Sequence, residues 1–324
     1  MEFGIELLPN IPYYELEYYA KLAEDNGFGY VWITDHYNNR NAFVILSAIA
    51  KATNSVKLGT GVTNPFHVNP AVIASAIATI NEMSGGRAIL GLGAGDKFTL
   101  RQIGIEQRRP LRRVREAVEI IRKLSAGEVV NYEGEEFRFE GARMNFKITP
   151  FPIYVGAQGP KMLRLASEVG DGVIINASHP KDVEFAMKNL NPKQGFDVAV
   201  CSAFSVDKDR NVAVKAVKPV VAFIVSSCPK EVLDRHGIDE DKVESVRRAL
   251  NEAFAKGNWK AVTDAVTEDM IEAFSITGTP DEVVERIEEL EHLGVTQFVV
   301  GSPIGKDKAK AIKMIGREIL PNFR

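Results

Sequence analysis

The stretch FGIELLPNIPYYELEYYAKLAEDNGFGYVWITDH, residues 3–36, decides the fold. It opens on a short apolar run, Phe3–Leu8, and closes on another, Tyr30–Thr34. Between them, Tyr14–Asn26 carries apolar residues at 16, 19, 20 and 23, one face of a helix, and stops at Gly27 as helices commonly do. Outward from this strand–helix–strand unit, similar runs recur at Val56–Gly61, Ala88–Gly93, Ile153–Gly156, Gly172–Asn176, Val198–Ser205 and Gln297–Gly301. They are rich in Val and Ile and apolar on both faces, as strands covered by helices must be. Helical patterns separate them at Ala71–Met83, Arg109–Leu124 and Pro280–Leu293. The last is announced by Thr279-Pro280-Asp281-Glu282, an N-cap, a proline at the first helical position and acids in the first turn.

Such an alternation closes either as an open doubly wound sheet or as a (β/α)8 TIM barrel, and a chain of 324 residues with eight runs fits the barrel better. A single barrel domain over 1–324 is expected, since no low-complexity linker divides the chain. Two connections exceed a simple crossover. Residues 127–151 read as a hairpin-type excursion and 207–278 as a mostly helical insertion. In a barrel, polar residues at strand C-termini are the candidates for chemistry, and those at the other end are structural.

Composition narrows the function classes. Apolar residues make up 45% and charged residues 26%, a folded globular profile. A net charge of −3 gives no basic surface for nucleic acid. Cys201 and Cys228 form no CxxC and read as buried thiols in a reducing compartment. No basic-then-apolar leader opens the sequence. The longest apolar runs, Phe43–Ala50 and Val220–Val225, fall short of the ~20 residues a membrane span needs. The expectation is a cytoplasmic protein without nucleic-acid or membrane partners.

Glu6 lies between Ile5 and Leu7 near the end of the first run. A carboxylate there must be paired, hydrogen-bonded or protonated. Burial moves a carboxyl toward the pKa that a general acid needs near neutrality; a barrel-layer carboxylate paired with a basic residue is the alternative. Thr34-Asp35-His36 closes the second run and turns toward the barrel mouth. A metal site competes for such a pair. However, the histidines at 36, 67, 179, 236 and 292 show neither HxxxH nor HExxH spacing, so no metal is expected. After the third run, Gly59–Pro65 (GTGVTNP) reads as a close approach of backbone to a planar ligand, or as an ordinary turn. GLGAGD at 91–96 resembles a dinucleotide fingerprint only superficially, because it neither opens the first βαβ unit nor leads at once into a helix; Asp96 stays a candidate. GAQGPK at 156–161 exposes backbone N–H groups at a helix start beside Lys161, an anion pocket. GSPIG at 301–305 repeats the idea after the eighth run, and Asn176-Ala177-Ser178 ends the sixth. The residues thus describe a barrel that binds a planar, phosphate-bearing ligand near carboxylates.

Several segments together carry a resemblance: FGIEL (3–7), WITDHYNNRN (32–41), GVTNP (61–65), ASAIAT (74–79), SGGRA (84–88), GAQGPKML (156–163), DGVIINAS (171–178), VVAFI (220–224), DRHGI (234–238), EAFSITGTPD (272–281) and GVTQFVVGSPIG (294–305). In this order the chain resembles the coenzyme F420-dependent 5,10-methylenetetrahydromethanopterin reductases of the bacterial luciferase-like superfamily. The resemblance implies reversible hydride transfer from reduced coenzyme F420, a deazaflavin, to the methylene carbon of the tetrahydromethanopterin-type substrate, giving the 5-methyl form. The opened ring leaves a nitrogen that needs a proton, which makes Glu6 the leading general acid. Asp35, Asp96 and Glu116 would set the charge of the mouth and position the pterin. A non-prolyl cis peptide is implied at Gly61-Val62, with Thr63 beside it, against the deazaflavin. Asp35 belongs to the same coenzyme set, and Ala157, Gln158, Gly159 and Asn176 are carried over to its ribityl phosphate side. A homo-oligomer, dimer or tetramer, is implied as well.

The chain departs from the family pattern beside this site. It has Gly59-Thr60-Gly61-Val62 for GPGV, Gly93-Ala94-Gly95-Asp96-Lys97-Phe98-Thr99-Leu100 for GPGDKATF, and Pro65-Phe66-His67-Val68-Asn69-Pro70 for PYxRxP. Alternative readings keep the fold. One is a coenzyme F420-dependent alcohol or sugar-phosphate dehydrogenase with His36 taking the substrate proton. Others are an FMN-dependent luciferase-like monooxygenase and a flavin-binding barrel without activity.

Overall fold

A computed structural model describes residues 1–323. The strands are β1 (Glu2–Leu7), β2 (Tyr30–Ile33), β3 (Lys57–Thr60), β4 (Ala88–Leu92), β5 (Val130–Glu133), β6 (Arg138–Ala142), β7 (Ile153–Gly156), β8 (Gly172–Asn176), β9 (Asp197–Val206), β10 (Ser275–Gly278) and β11 (Gln297–Ile304). The chain divides into two compact units, Gly4–Ile175 with Ala186–Ala199, and Met1–Phe3 with Asn176–Phe185 and the chain from Val200 onward.

In the first unit β1, β2, β3, β4, β7 and β8 run parallel in that order. Helices Tyr13–Asp25, Ala42–Ala52, Pro70–Met83, Pro110–Ser125 and Pro160–Val169 provide the crossovers, and those with an expected range end within two residues of it. The first helix buries Leu16, Ala20 and Ala23, three of the positions its periodicity marks. Register aligns Glu6, Trp32 and Gly59 in one layer. The Trp32 indole lies across β3 in space that only a glycine leaves, since a Cβ on Gly59 would stand 2.3 Å from its ring. The excursion is a hairpin as expected: β5 and β6 pair antiparallel through Tyr132–Phe139 and Glu133–Arg138.

In the second unit β10 pairs parallel with the outer half of β9, from Ser275–Ala203 to Gly278–Val206. The insertion expected over 207–278 includes 275–278. Those four residues are too few to show a period against the helices before them, and pairing with β9 makes them a strand. The insertion itself holds five helices, Arg210–Ser227, Lys230–His236, Glu240–Lys256, Trp259–Ala265 and Glu268–Phe274. Their core includes Val217, Val221, Val225, Val243, Val246 and Met270, all fully buried. Asp182 joins this unit by accepting from Arg235 and lying 2.8 Å from His236 Nε2. Cys201 is buried and Cys228 half-buried, with no disulfide between them. Among the described residues no helix is long and apolar enough to cross a membrane.

Candidate active site

The ladder of the first unit carries its candidates to one edge. Thr34 N–H donates to Leu7 C=O at 3.4 Å and Gly61 N–H to Ile33 C=O at 2.8 Å. Pairing thus continues past the ends of β2 and β3 and sets Gly61 beside Thr34, the residue before Asp35. Glu6 is half-buried, and its Oε1 lies 3.9 Å from where a Cβ on Gly61 would be. The Gly61–Val62 peptide is cis, where the resemblance implied it. Val62 is received between two glycines. A Cβ on Gly93 would come within 2.8 Å of its Cγ2, and one on Gly156 within 3.0 Å. Thr63 rejoins the ladder, donating to Gly91 C=O and accepting from Gly93 N–H, both at 2.9 Å. Thr60, where the family pattern has proline, puts its hydroxyl between Gly91 C=O (2.7 Å) and Gly91 N–H (3.0 Å), so the departure adds a tie between β3 and β4.

Three side-chain atoms at this edge are buried without a hydrogen bond: Thr34 Oγ1, Asp35 Oδ2 and Thr63 Oγ1. Each such atom costs roughly 1–3 kcal/mol, so their gathering at neighbouring strand ends marks a place where a ligand completes the bonding. Hydroxyls and a carboxylate oxygen, beside the half-exposed Gly61-Val62 peptide, suit a flat ring edged with donors and acceptors. The group that the resemblance implies therefore fits these residues.

Other expected residues lie elsewhere or are engaged. Asp96 is exposed and caps the short helix Lys97–Gln102, its Oδ1 accepting from Thr99 N–H at 2.7 Å. Glu116 is 2% exposed, and its carboxylate accepts from the backbone N–H groups of Glu135, Glu136 and Phe137 at 3.0–3.1 Å. It anchors the hairpin turn, three backbone donors taking most of the roughly four acceptor positions of its carboxylate. Ala157 is buried, while Gln158 and Gly159 are exposed where β7 meets helix Pro160–Val169. That helix has no side-chain cap on its N-terminus. In the second unit Asn176 is exposed at the end of β8. The loop after β11 leads instead into a seven-residue helix whose N-terminus Asp307 caps by accepting from Lys310 N–H at 3.0 Å. Among the described residues no group of three or more His, Cys, Asp or Glu side chains is arranged to hold a metal.

The sequence reading missed two residues at this edge. His67 lies 3.7 Å through Nε2 from Asp35 Oδ2, a pairing across 32 positions that no spacing rule signals. Arg113 donates to Pro65 C=O (2.9 Å) and to Glu136 (3.0 Å), and its guanidinium lies over the rings of Phe66 (4.9 Å) and Phe137 (4.6 Å). It clamps the hairpin turn onto the loop that follows Thr63.

An acid and unsatisfied polar atoms across parallel strand ends define a class, α/β enzymes that seat a flat ligand at that edge. The comparisons narrow it. The profile of the family described as luciferase-like monooxygenase matches residues 1–297. The 5,10-methylenetetrahydromethanopterin reductase of Archaeoglobus fulgidus is 58% identical over the full length of both chains. The structure of the coenzyme F420-dependent tetrahydromethanopterin reductase from Methanopyrus kandleri superposes with a TM-score of 0.94 at 44% identity, covering 100% of this chain and 99% of that one. An F420-dependent glucose-6-phosphate dehydrogenase of Segniliparus rotundus is 30% identical over 96% of this chain and 94% of its own. The chain belongs to the luciferase-like family and, within it, to the 5,10-methylenetetrahydromethanopterin reductases. Its fold is the (β/α)8 TIM barrel that the alternation predicted.

Proposed function

We propose that the chain catalyses reversible hydride transfer between coenzyme F420 and 5,10-methylenetetrahydromethanopterin, yielding 5-methyltetrahydromethanopterin. Membership of the reductases supports this over the dehydrogenase reading, whose relative stands at 30% identity against 58%. The observation that carries it is Glu6, half-buried at the end of β1 with its carboxyl about a van der Waals contact from the Gly61 position.

When bound, the reduced coenzyme supplies the hydride. Thr34, Asp35 and Thr63 offer the unsatisfied atoms that hold a flat ring, against Gly61-Val62. Glu6 gives its proton to the nitrogen released as the C–N bond opens and recovers it in the reverse direction. Asp96 lines the same edge as Asp35 and adds negative charge where the pterin lies. The uncapped start of helix Pro160–Val169, with Ala157, Gln158, Gly159 and Lys161, receives the coenzyme's phosphate. The loop at 301–305 is disfavoured for that task because Asp307 already occupies the N-terminus of the helix after it. Asn176 stays in the coenzyme set on the resemblance alone. A cytoplasmic homo-oligomer without nucleic-acid or membrane partners completes the proposal. Phe223, Phe254 and Trp259, exposed and in mutual ring contact, support an oligomer, which light scattering on the purified protein reads.

Anaerobic oxidation of reduced coenzyme F420, followed with and without the methylene pterin, tests the activity. Oxidation that depends on the pterin supports it; oxidation by a ketone or by air but not by the pterin overturns it.

A further inference from the structure

His67 Nδ1 stands 2.9 Å from Asn64 Oδ1. That oxygen also accepts the backbone N–H groups of Phe66 (3.1 Å) and His67 (3.3 Å), which fixes the orientation of the buried amide and identifies the atom as the acceptor. Nδ1 must therefore carry a hydrogen, and Nε2 is the nitrogen left to face Asp35 Oδ2 at 3.7 Å. A neutral ring would set a lone pair against a carboxylate, so the approach is attractive only when the pair holds one further proton. The Asp35 side chain is 6% exposed and that oxygen has no hydrogen bond. A separation of 3.7 Å is too wide for a direct bond, while an oxygen set about 2.8 Å from each atom bridges both. The cavity that Asp35 and His67 line with Asn64 has a volume of about 10 Å³, room for roughly one oxygen-sized group.

We propose that Asp35 and His67 form a two-point site for a single hydroxyl or enol group of a bound reactant. The ligand's O–H donates to Asp35 Oδ2 and its oxygen accepts from His67 Nε2–H. The proposal rests on the functional reading only for which molecules enter this edge. Asp35 faces His67 from the loop after β2, where His36 and Tyr37 also line the cavity, and Asp96 faces it from the loop after β4.

Long-range ¹H–¹⁵N correlation spectra of histidine-labelled protein test the site without turnover, with His67 assigned by its loss in His67→Gln. Nδ1 is expected to carry a proton, with Asn64 Oδ1 as its acceptor. Adding oxidised coenzyme F420 or the methyl pterin should shift Nε2 in the wild type and not in Asp35→Asn. An unprotonated Nδ1, or an Nε2 that ignores both molecules because the cavity holds only water, overturns the site. Binding titrations add a second reading. His67→Phe should raise the dissociation constant of the responding molecule about tenfold, and His67→Gln, which keeps an N–H donor, should restore it to within about threefold. Equal losses in both variants overturn the site. An Nε2 response in a protein that never turns over would sink the functional reading and leave the site standing.

Discussion

The two ends of strands β2–β4 treat polar groups in opposite ways. At the N-terminal end, Glu24 is 7% exposed and accepts from the backbone N–H groups of Asn54, Ser55 and Val56, from the Ser55 hydroxyl and from Lys21. Arg87 nearby donates to the carbonyls of Ala50, Thr53, Val56 and Ser84 and to the Thr53 hydroxyl. At the C-terminal end, Thr34, Asp35 and Thr63 each leave a buried atom without a bond. The first end closes its hydrogen-bond accounting within the protein, and the second leaves three buried atoms open. The difference locates the chemistry more sharply than topology does, because it separates polar groups that stabilise from polar groups that wait.

Glu116 probes the saturated class at its most buried. Replacing it with Ala strands three N–H groups at the hairpin turn, and urea unfolding should show a loss of about 3 kcal/mol. A loss below ~1 kcal/mol, or a kcat deficit at unchanged stability, would return Glu116 to the catalytic set. Glu24 should behave alike. Burial pushes its pKa up, but the Ser55, Lys21 and Asn54 hydrogen bonds outweigh this and hold it at about 2, below an ordinary 4.5. A depressed carboxyl stabilises the fold above its unfolded pKa and loses that contribution as pH falls through the folded one. Glu24→Gln should therefore cost roughly 2–3 kcal/mol near neutrality, with the gap to the wild type narrowing between pH 4.5 and about 2. A pH-independent gap would show that the charge is not what matters.

The unsatisfied end should respond in the other sense. Thr63→Val removes an orphaned hydroxyl, so the ligand-free protein should keep or gain up to about 1 kcal/mol while coenzyme affinity falls about tenfold. Destabilisation with unchanged affinity would place Thr63 in the saturated class. The smallest effect is expected at Lys161, which is exposed. Lys161→Ala should weaken coenzyme binding severalfold, lessened by salt, and leave kcat near normal. A larger effect on kcat than on binding would move the phosphate away from this loop.

The barrel was legible in the sequence because strand–helix alternation is local, and all eight runs became strands. β10 escaped because four residues against a partner 72 positions away carry no period of their own. The site was legible in outline, since strand C-termini, Glu6, Asp35 and Gly61-Val62 all lie at one edge. The sequence could not show which carboxylates were engaged. Asp35 and Asp96 look alike as acids after strands, yet one keeps a buried oxygen unsatisfied and the other caps a helix. Glu116 looked free until a turn 19–21 residues away folded onto it. His67 was visible only as a departure from a pattern, and its partner is set by β2 and β3 lying side by side.

The central claim, that proton chemistry belongs to the unsatisfied end and stability to the other, is met most directly by Glu6→Gln and Glu24→Gln measured together. Pterin-dependent oxidation of reduced coenzyme F420 and thermal unfolding would be read on the same preparations. Glu6→Gln should lose at least ~100-fold in kcat, the usual scale for a general acid, with coenzyme affinity kept and a melting temperature close to the wild type. Glu24→Gln should lose melting temperature and keep its turnover. Near-normal turnover in Glu6→Gln, or a turnover loss in Glu24→Gln matching it, would contradict the account.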